Sequence, residues 1–308
     1  MSLFDALVDE ALKNQQDLSP LRAVVEKELL HHDILRALSG EGMLAHLTIM
    51  GGTCLRACYG SHRLSEDLDF TGGTEFRQDS LSAMARVLAD SLKTKYGLDV
   101  EVNPPVRDAA QVATWKLKMQ TRPSRKDLPV QRINIDICAI PSYQAKPRLL
   151  LNPYGVDMGT GGLILQAESR EEIFADKIVA LALRPNRIKN RDLWDMAWLY
   201  QQGVKPAIDL LTPKLKDHRS DPQEFLRVLD ARAHSLVTDP KVAAEFWREM
   251  SRFLPVHLMT PTVEQGRFWE FLVSLMDELR GQARKILQGG ALGSAFPTNG
   301  GDSSNLHV

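Results

Sequence analysis

MGGTCLRACYGSHRLSEDLDF, residues 50–70, decides how this chain is read. The short apolar run His46 to Met50 leads into Gly51-Gly52-Thr53, a pattern of strand, tight turn and helix. Asp67 and Asp69 are two residues apart, so on a strand both carboxylates share one face while Leu68 and Phe70 point into a core. Paired carboxylates repel unless a cation lies between them, which suits a hard divalent metal. The helix opened by Gly51-Gly52-Thr53 offers free backbone N–H groups and the positive end of its dipole, which suits a phosphate. A third carboxylate, Asp136, stands on the polar face of a strand whose other face is Ile133, Ile135 and Ile137. Singly, each of these signals is common in structural turns and strand surfaces. Their joint order, a strand, Gly-Gly-Thr, Asp-x-Asp and a later strand Asp, is far more specific. It matches a two-metal arrangement for phosphoryl transfer.

Outward from this stretch the chain divides by texture. Met1 to about Gly42 carries apolar residues at helical spacing, and Phe76 to Lys95 predicts a long amphipathic helix. Leu68–Thr71, Leu98–Val102, Val112–Met119, Val130–Ile137 and Leu163–Leu165 predict strands, with Asn152–Gly162 rich in turn residues. From about residue 168 the pattern is helical. Ser169-x-x-Glu172 and Thr262-x-x-Gln265 are capping boxes, and Asp221-Pro222 and Asp239-Pro240 put a cap before proline at the first helical position. Gly289 to Asn305 has the composition of a flexible tail. The expected fold is α+β and bilobed. An α/β lobe over 1–167, with a mixed sheet flanked by helices, precedes a helical lobe over 168–288 and a tail over 289–308. The site is expected between the lobes.

Composition sets the limits. The chain has 308 residues, 44% of them hydrophobic and 25% charged, with net charge −1, as in an ordinary globular protein. No apolar run approaches the roughly 18 residues a membrane span needs, and Met1 to Lys13, with Asp5, Asp9 and Glu10 among apolar residues, reads as an amphipathic helix rather than a signal peptide. Three cysteines make no disulfide framework or Cys-x-x-Cys zinc site, so Cys54 and Cys58 are expected as small core residues in a reducing cytoplasm. Charge is unevenly spread. Between Arg107 and Arg148 nine basic residues face three acidic ones, a local +6, and Arg184, Arg187, Lys189 and Arg191 follow. Such focused charge attracts phosphates, although solvated surface residues account for it equally well.

Gly51-Gly52-Thr53 followed by Ser65-Glu66-Asp67-Leu68-Asp69-Phe70 resembles the signature of the AbiEii/AbiGii toxin family. These are nucleotidyltransferase-like toxins with the DNA polymerase β-type fold, the MenT toxins among them. Glu172-Ile173-Phe174-Ala175-Asp176-Lys177 and Arg191-Asp192-Leu193-Trp194-Asp195 resemble the family's later motifs, so the likeness spans about residues 46–200. It implies that Asp67 and Asp69 bind catalytic magnesium ions, with Asp136 as a less constant third ligand. Gly52 and Thr53 would cradle an NTP triphosphate, Lys177 would contact phosphate and Asp192 would act in the last motif, with Asp195 supporting that helix. Ser65 sits where some members carry a serine modified by phosphate. The resemblance further implies a cytoplasmic toxin that moves NMP from an NTP to RNA, most plausibly the tRNA 3′ end, blocking translation. A separately encoded antitoxin and a role in growth arrest or phage defence go with it. Two other readings stand beside this one: phosphorylation or nucleotidylation of the protein itself or of another protein, with Ser65 the candidate, and a non-catalytic binding module.

The helical motifs can be read on their own residues. Ile173, Phe174, Lys177, Ile178 and Leu181 form one stripe, so Lys177 lies in or beside an apolar face and needs an anion. Asp192 or Asp195 would serve; a phosphate is favoured once the resemblance is added. Arg191 and Asp195, four apart, can pair, which leaves Asp192 to face the cleft. Trp194, Trp198, Trp247 and Trp269 are expected in the core.

Overall fold

Alternating strands pair because each has one face to bury. A computed structural model describes residues 2–105, 111–122, 130–185, 187–259 and 266–292. Its seven strands are β1 (Thr48–Met50), β2 (Leu68–Thr71), β3 (Val100–Asn103), β4 (Val112–Met119), β5 (Gln131–Cys138), β6 (Ala145–Leu149) and β7 (Ile164–Glu168). They form one mixed sheet in the order β3-β4-β5-β2-β1-β7-β6. The β1–β7 and β2–β5 pairs are parallel and the remaining pairs antiparallel.

Register gives the sheet two unlike faces. Leu68 and Phe70 of β2, Ile133, Ile135 and Ile137 of β5, and Trp115, Leu117 and Met119 of β4 are all buried. They join a core that includes α2 (Arg22–Gly40) and α4 (Met84–Tyr96). The alternate residues, Asp67, Asp69, Asn134 and Asp136, turn to the opposite face and remain partly open. Further out on that face Lys116, Lys118 and Arg132 are exposed.

Helices precede and follow the sheet residues: α1 (Leu3–Asn14) ahead of α2, and α3 (Gly51–Tyr59) directly after β1. After β7 the described chain is helical, with α5 (Arg170–Leu183), α6 (Asn190–Gln201), α7 (Leu211–Asp217), α8 (Pro222–Thr238), α9 (Pro240–Met250), the single turn α10 (Val256–Leu258) and α11 (Gly266–Leu292). The α+β architecture and the mixed sheet are those the sequence predicts. Asp221 caps α8 through the N–H groups of Gln223 and Glu224, and Asp239 caps α9 through that of Lys241.

Several details differ from expectation. The helix expected from Phe76 starts at Met84, because Gln78–Leu81 forms a tighter 3-10 turn. Strand β6 carries no sequence signal: all five residues are exposed and one is Pro147, so no alternation marks it. Ser169 caps α5 by accepting from the Glu172 N–H. The Glu172 carboxylate does not complete the capping box. It accepts instead from Ser142 Oγ, the N–H groups of Tyr143 and Gln144, and Lys214. It thereby ties the turn after β5 to α5 and α7. Gly289–Leu292, the first residues of the expected tail, belong to α11; residues 293–308 lie outside the described residues. So do the Thr262 capping box and Arg107, Asp108, Arg125, Lys126 and Asp127 of the basic segment.

The two faces make opposite predictions. Ile135→Ala should lower stability by about 2–5 kcal/mol, since it opens a cavity in the core. Arg132→Ser, on the open face of the same strand, should change it by no more than about 0.5 kcal/mol. Urea unfolding with an unchanged m-value measures both.

Candidate active site

Asp69 and Asp136 are register partners on the parallel strands β2 and β5, so their side chains lie side by side on the open face. Asp67 immediately precedes β2, two residues from Asp69 on the same face. Its Oδ1 accepts from the Asn134 N–H at 3.0 Å. Asp136 Oδ1 is buried and has no hydrogen-bond partner. Burial, joined by Asp136 and Asp67, pushes the Asp69 carboxyl above its usual range against the opposing charges of Lys189 and Lys177. Burial and Asp67 push Asp136 up as well, opposed by a hydrogen bond from Thr114 and by Lys189 and Lys116. Asp67, Asp69 and Asp136 are thus neighbours on one face whose charges act on one another, although their oxygens do not close to the mutual 4.8 Å at which Glu168, Glu172 and Asp176 gather. Hard oxygens on one face, one of them orphaned, suit a divalent cation that would draw them together.

The segment that delivers Asp67 is pinned residue by residue. Arg63 forms a two-pronged pair with Asp195, at 2.7 Å from Nε and 2.9 Å from Nη2. The Leu64 N–H donates to the carbonyl of Phe253, and the Ser65 N–H donates to Glu28. Glu66 is held through its carboxylate by Lys27 and Arg191 and through its carbonyl by His31. The Asp67 carbonyl accepts from the Thr53 hydroxyl. Every residue from 63 to 67 thus has a partner on another element, and the geometry of the carboxylates is inherited from those partners.

Glycine is required where α3 starts. Gly51 adopts φ +68°, and a Cβ there would stand 3.1 Å from Asp69 Oδ2. Gly52 lies against Arg63, where a Cβ would come within 2.1 Å of Nη2. Gly52 therefore makes room for the Arg63–Asp195 pair as well as opening the helix. Thr53 is buried, and its Oγ1 is 2.6 Å from Ser65 Oγ, with Ser65 itself 5% exposed. Both hydroxyls are committed inside the protein, away from the open face.

The later motifs meet behind this segment. Lys177 Nζ lies 2.6 Å from Asp192 and 2.9 Å from Asp195, so the anion satisfying it is a pair of carboxylates rather than the phosphate favoured from the sequence. Asp192 is buried and also bound by Arg184 at 2.9 Å. Burial opposes charge on both carboxylates. Even so, Lys177, Lys189 and Arg184 hold Asp192 well below the usual range, and Arg63 and Lys177 hold Asp195 below it. Asp195 takes Arg63 and Lys177 as partners in place of the neighbouring Arg191. Arg191 reaches Glu66 and Glu249 and lies over the Phe253 ring.

Two residues that the sequence reading did not single out complete the picture. Arg63 is the buried link between the Asp67 segment and α6. Lys189, just before α6, is the cation whose charge bears on both Asp69 and Asp136. Burial, with Lys177 and Arg191 nearby, lowers its own pKa. The only sequence signal for Lys189 is its membership of the basic run 184–191. Cys54 and Cys58 are buried in α3, and Trp194 and Trp198 are buried in α6, as expected of core residues.

A family model described as "Nucleotidyl transferase AbiEii toxin, Type IV TA system" matches residues 33–271, most of the chain, and the chain belongs to this nucleotidyltransferase toxin family. MenT4, a nucleotidyltransferase toxin from Mycobacterium tuberculosis, has a similar structure, with TM-score 0.53 at 13% identity over 95% of this chain and 99% of that one. JHP933 from Helicobacter pylori aligns with TM-score 0.48 and 15% identity over 88% of this chain and 97% of its own. The likeness to MenT4 is one of fold. No curated protein matches the chain. Membership of a toxin–antitoxin family implies a nucleotide substrate and a separate antitoxin. Among the described residues no helix is long and apolar enough to cross a membrane.

Gly52→Ala should push the Arg63 guanidinium off Asp195 and leave a buried charge partly unpaired. A loss of about 3–5 kcal/mol is expected. Urea unfolding measures it, and the Ala57→Gly variant on the same helix controls for helix propensity.

Proposed function

We propose that this chain is a magnesium-dependent transferase that moves a nucleoside monophosphate from an NTP to the 3′ hydroxyl of an RNA, with the tRNA 3′ end as acceptor. Loss of a free acceptor end would block translation and account for toxicity. The observation that carries this reading is the placement of Asp67, Asp69 and Asp136 side by side on the open sheet face beside the start of α3. Those three carboxylates would hold magnesium, which when bound supplies charge stabilisation at the reacting phosphate. The backbone N–H groups at Gly52 and Thr53 face no earlier helical carbonyl and suit the donor's phosphates, aided by the helix dipole. Lys189 supplies the cation on that side, placed to balance charge on the leaving pyrophosphate. Asp136 Oδ1, free of other partners, is the oxygen of that residue left over for the metal. Lys177 acts behind the site as the cation that fixes Asp192 and Asp195.

The test is a labelling reaction with magnesium, total tRNA and each NTP labelled at the α-phosphate. The wild-type chain should label tRNA from one or two NTPs. Asp69→Asn should lower the rate by roughly 10³-fold or more. Lys189→Ala should raise the apparent KM for NTP about tenfold or more, since a charge-assisted contact is lost. Label confined to the protein would support the modification reading. Absence of label, including from γ-labelled NTPs, would overturn transfer and leave the binding module.

A further inference from the structure

The open face of the sheet does not end at the carboxylates. Across β2, β5 and β4, the row Asp69, Asp136 and Thr114 is followed by the row Asp67, Asn134, Lys116 and, on β3, Asn103. The next row holds Arg132, Lys118 and Glu101. Successive rows are about 6.7 Å apart, two residues of strand. Going away from Asp136, the carboxylates Asp69, Asp136 and Asp67 give way over two rows to Lys116, Arg132 and Lys118, with Glu101 the one acid among them. Lys118 is met by Glu101 at 3.4 Å. Lys116 and Arg132 are exposed and form no ion pair among the described residues. An uncovered β-surface with cations at this spacing and amides between them can follow the phosphates of one extended nucleic-acid strand. The donor does not account for this arrangement on the proposed reading, which puts its phosphates at the start of α3, beside the Asp69 row and on the far side from Arg132.

We infer that the acceptor strand leaves the site across β5 and β4, with Lys116 and Arg132 each pairing with a backbone phosphate of its single-stranded 3′ end. This deepens the transfer reading and rests on it for the identity of the acceptor. The side chains contact phosphate rather than base edges, so they fix the path of the strand and leave its sequence unread. Substituting them should weaken RNA uniformly and leave the nucleotide alone.

The experiment measures binding of the full chain to a fluorescent single-stranded RNA with a free 3′ hydroxyl, without NTP, at several salt concentrations. Neutralising one cation, Lys116→Ser or Arg132→Ser, should reduce the salt slope by about 0.7, and the double variant by about 1.4. Arg284→Ser, an exposed charge on α11, should leave the slope unchanged, and melting curves check that each variant is folded. Calorimetry should give the same NTP affinity for the double variant as for the wild-type chain, while its KM for RNA in the labelling reaction rises. An unchanged slope and RNA affinity in the double variant would overturn the inference, as would a loss confined to NTP affinity. Because binding is read without catalysis, the two failures differ. A chain that binds RNA through Lys116 and Arg132 but labels none contradicts transfer alone. A chain that labels RNA with no dependence on either residue contradicts this path alone.

Discussion

Four buried charges, Arg63, Asp195, Lys177 and Asp192, form the constraint on which the rest of the site depends. Ion pairs removed from water are costly to create and more costly to break, because each lost partner leaves a charge without compensation. Here the pairs join three separate pieces of chain: the segment before β2, the middle of α5 and the first turns of α6. Gly52 is small so that Arg63 can reach Asp195. The Asp67 segment is held at its Arg63 end by this network and at its other end by Thr53 and Asn134. The carboxylates on the sheet therefore owe their placement to helices distant in sequence.

The division between face and interior explains how much of this could be read beforehand. Alternation put Asp67 and Asp69 on one face, and Ile133, Ile135 and Ile137 opposite Asp136, because burial of one strand face is a local, periodic signal. What alternation cannot carry is the partner of a buried charge. The sequence required an anion for Lys177 but left open which one, and the same stripe that marked it as buried gave no direction. Arg63 showed no pattern at all, since its partner lies 132 residues away. Lys189 was visible only as one cation among four. Strand β6, exposed along its length with a proline at its centre, lacks the half-buried character that reveals strands. Glu172 satisfied the capping-box pattern in sequence, yet long-range donors on the 142–144 turn and Lys214 compete successfully for its carboxylate.

The hydroxyls of Thr53 and Ser65 illustrate how one motif can serve two purposes. The family resemblance implied a phosphate beside each of them. In the folded chain their oxygens are 2.6 Å apart in the interior, and Thr53 also donates to the Asp67 carbonyl. They fasten the helix start to the segment carrying the carboxylates. The backbone of the same turn remains free for chemistry while its side chains are spent on structure.

The charge network also bears on how substrates enter. A cleft that closes on its ligand needs a soft joint, with few buried polar links across it. In this protein the strand that carries the carboxylates and the helices behind it are joined by ions that would be stranded by separation. Leu64 is tied in addition to the Phe253 carbonyl, far along the chain. Such a framework holds the carboxylate segment in place before any ligand arrives. On the proposed transfer reading, choice among nucleotides would then rest on direct contacts at a face already in place, with little help from a conformational checkpoint.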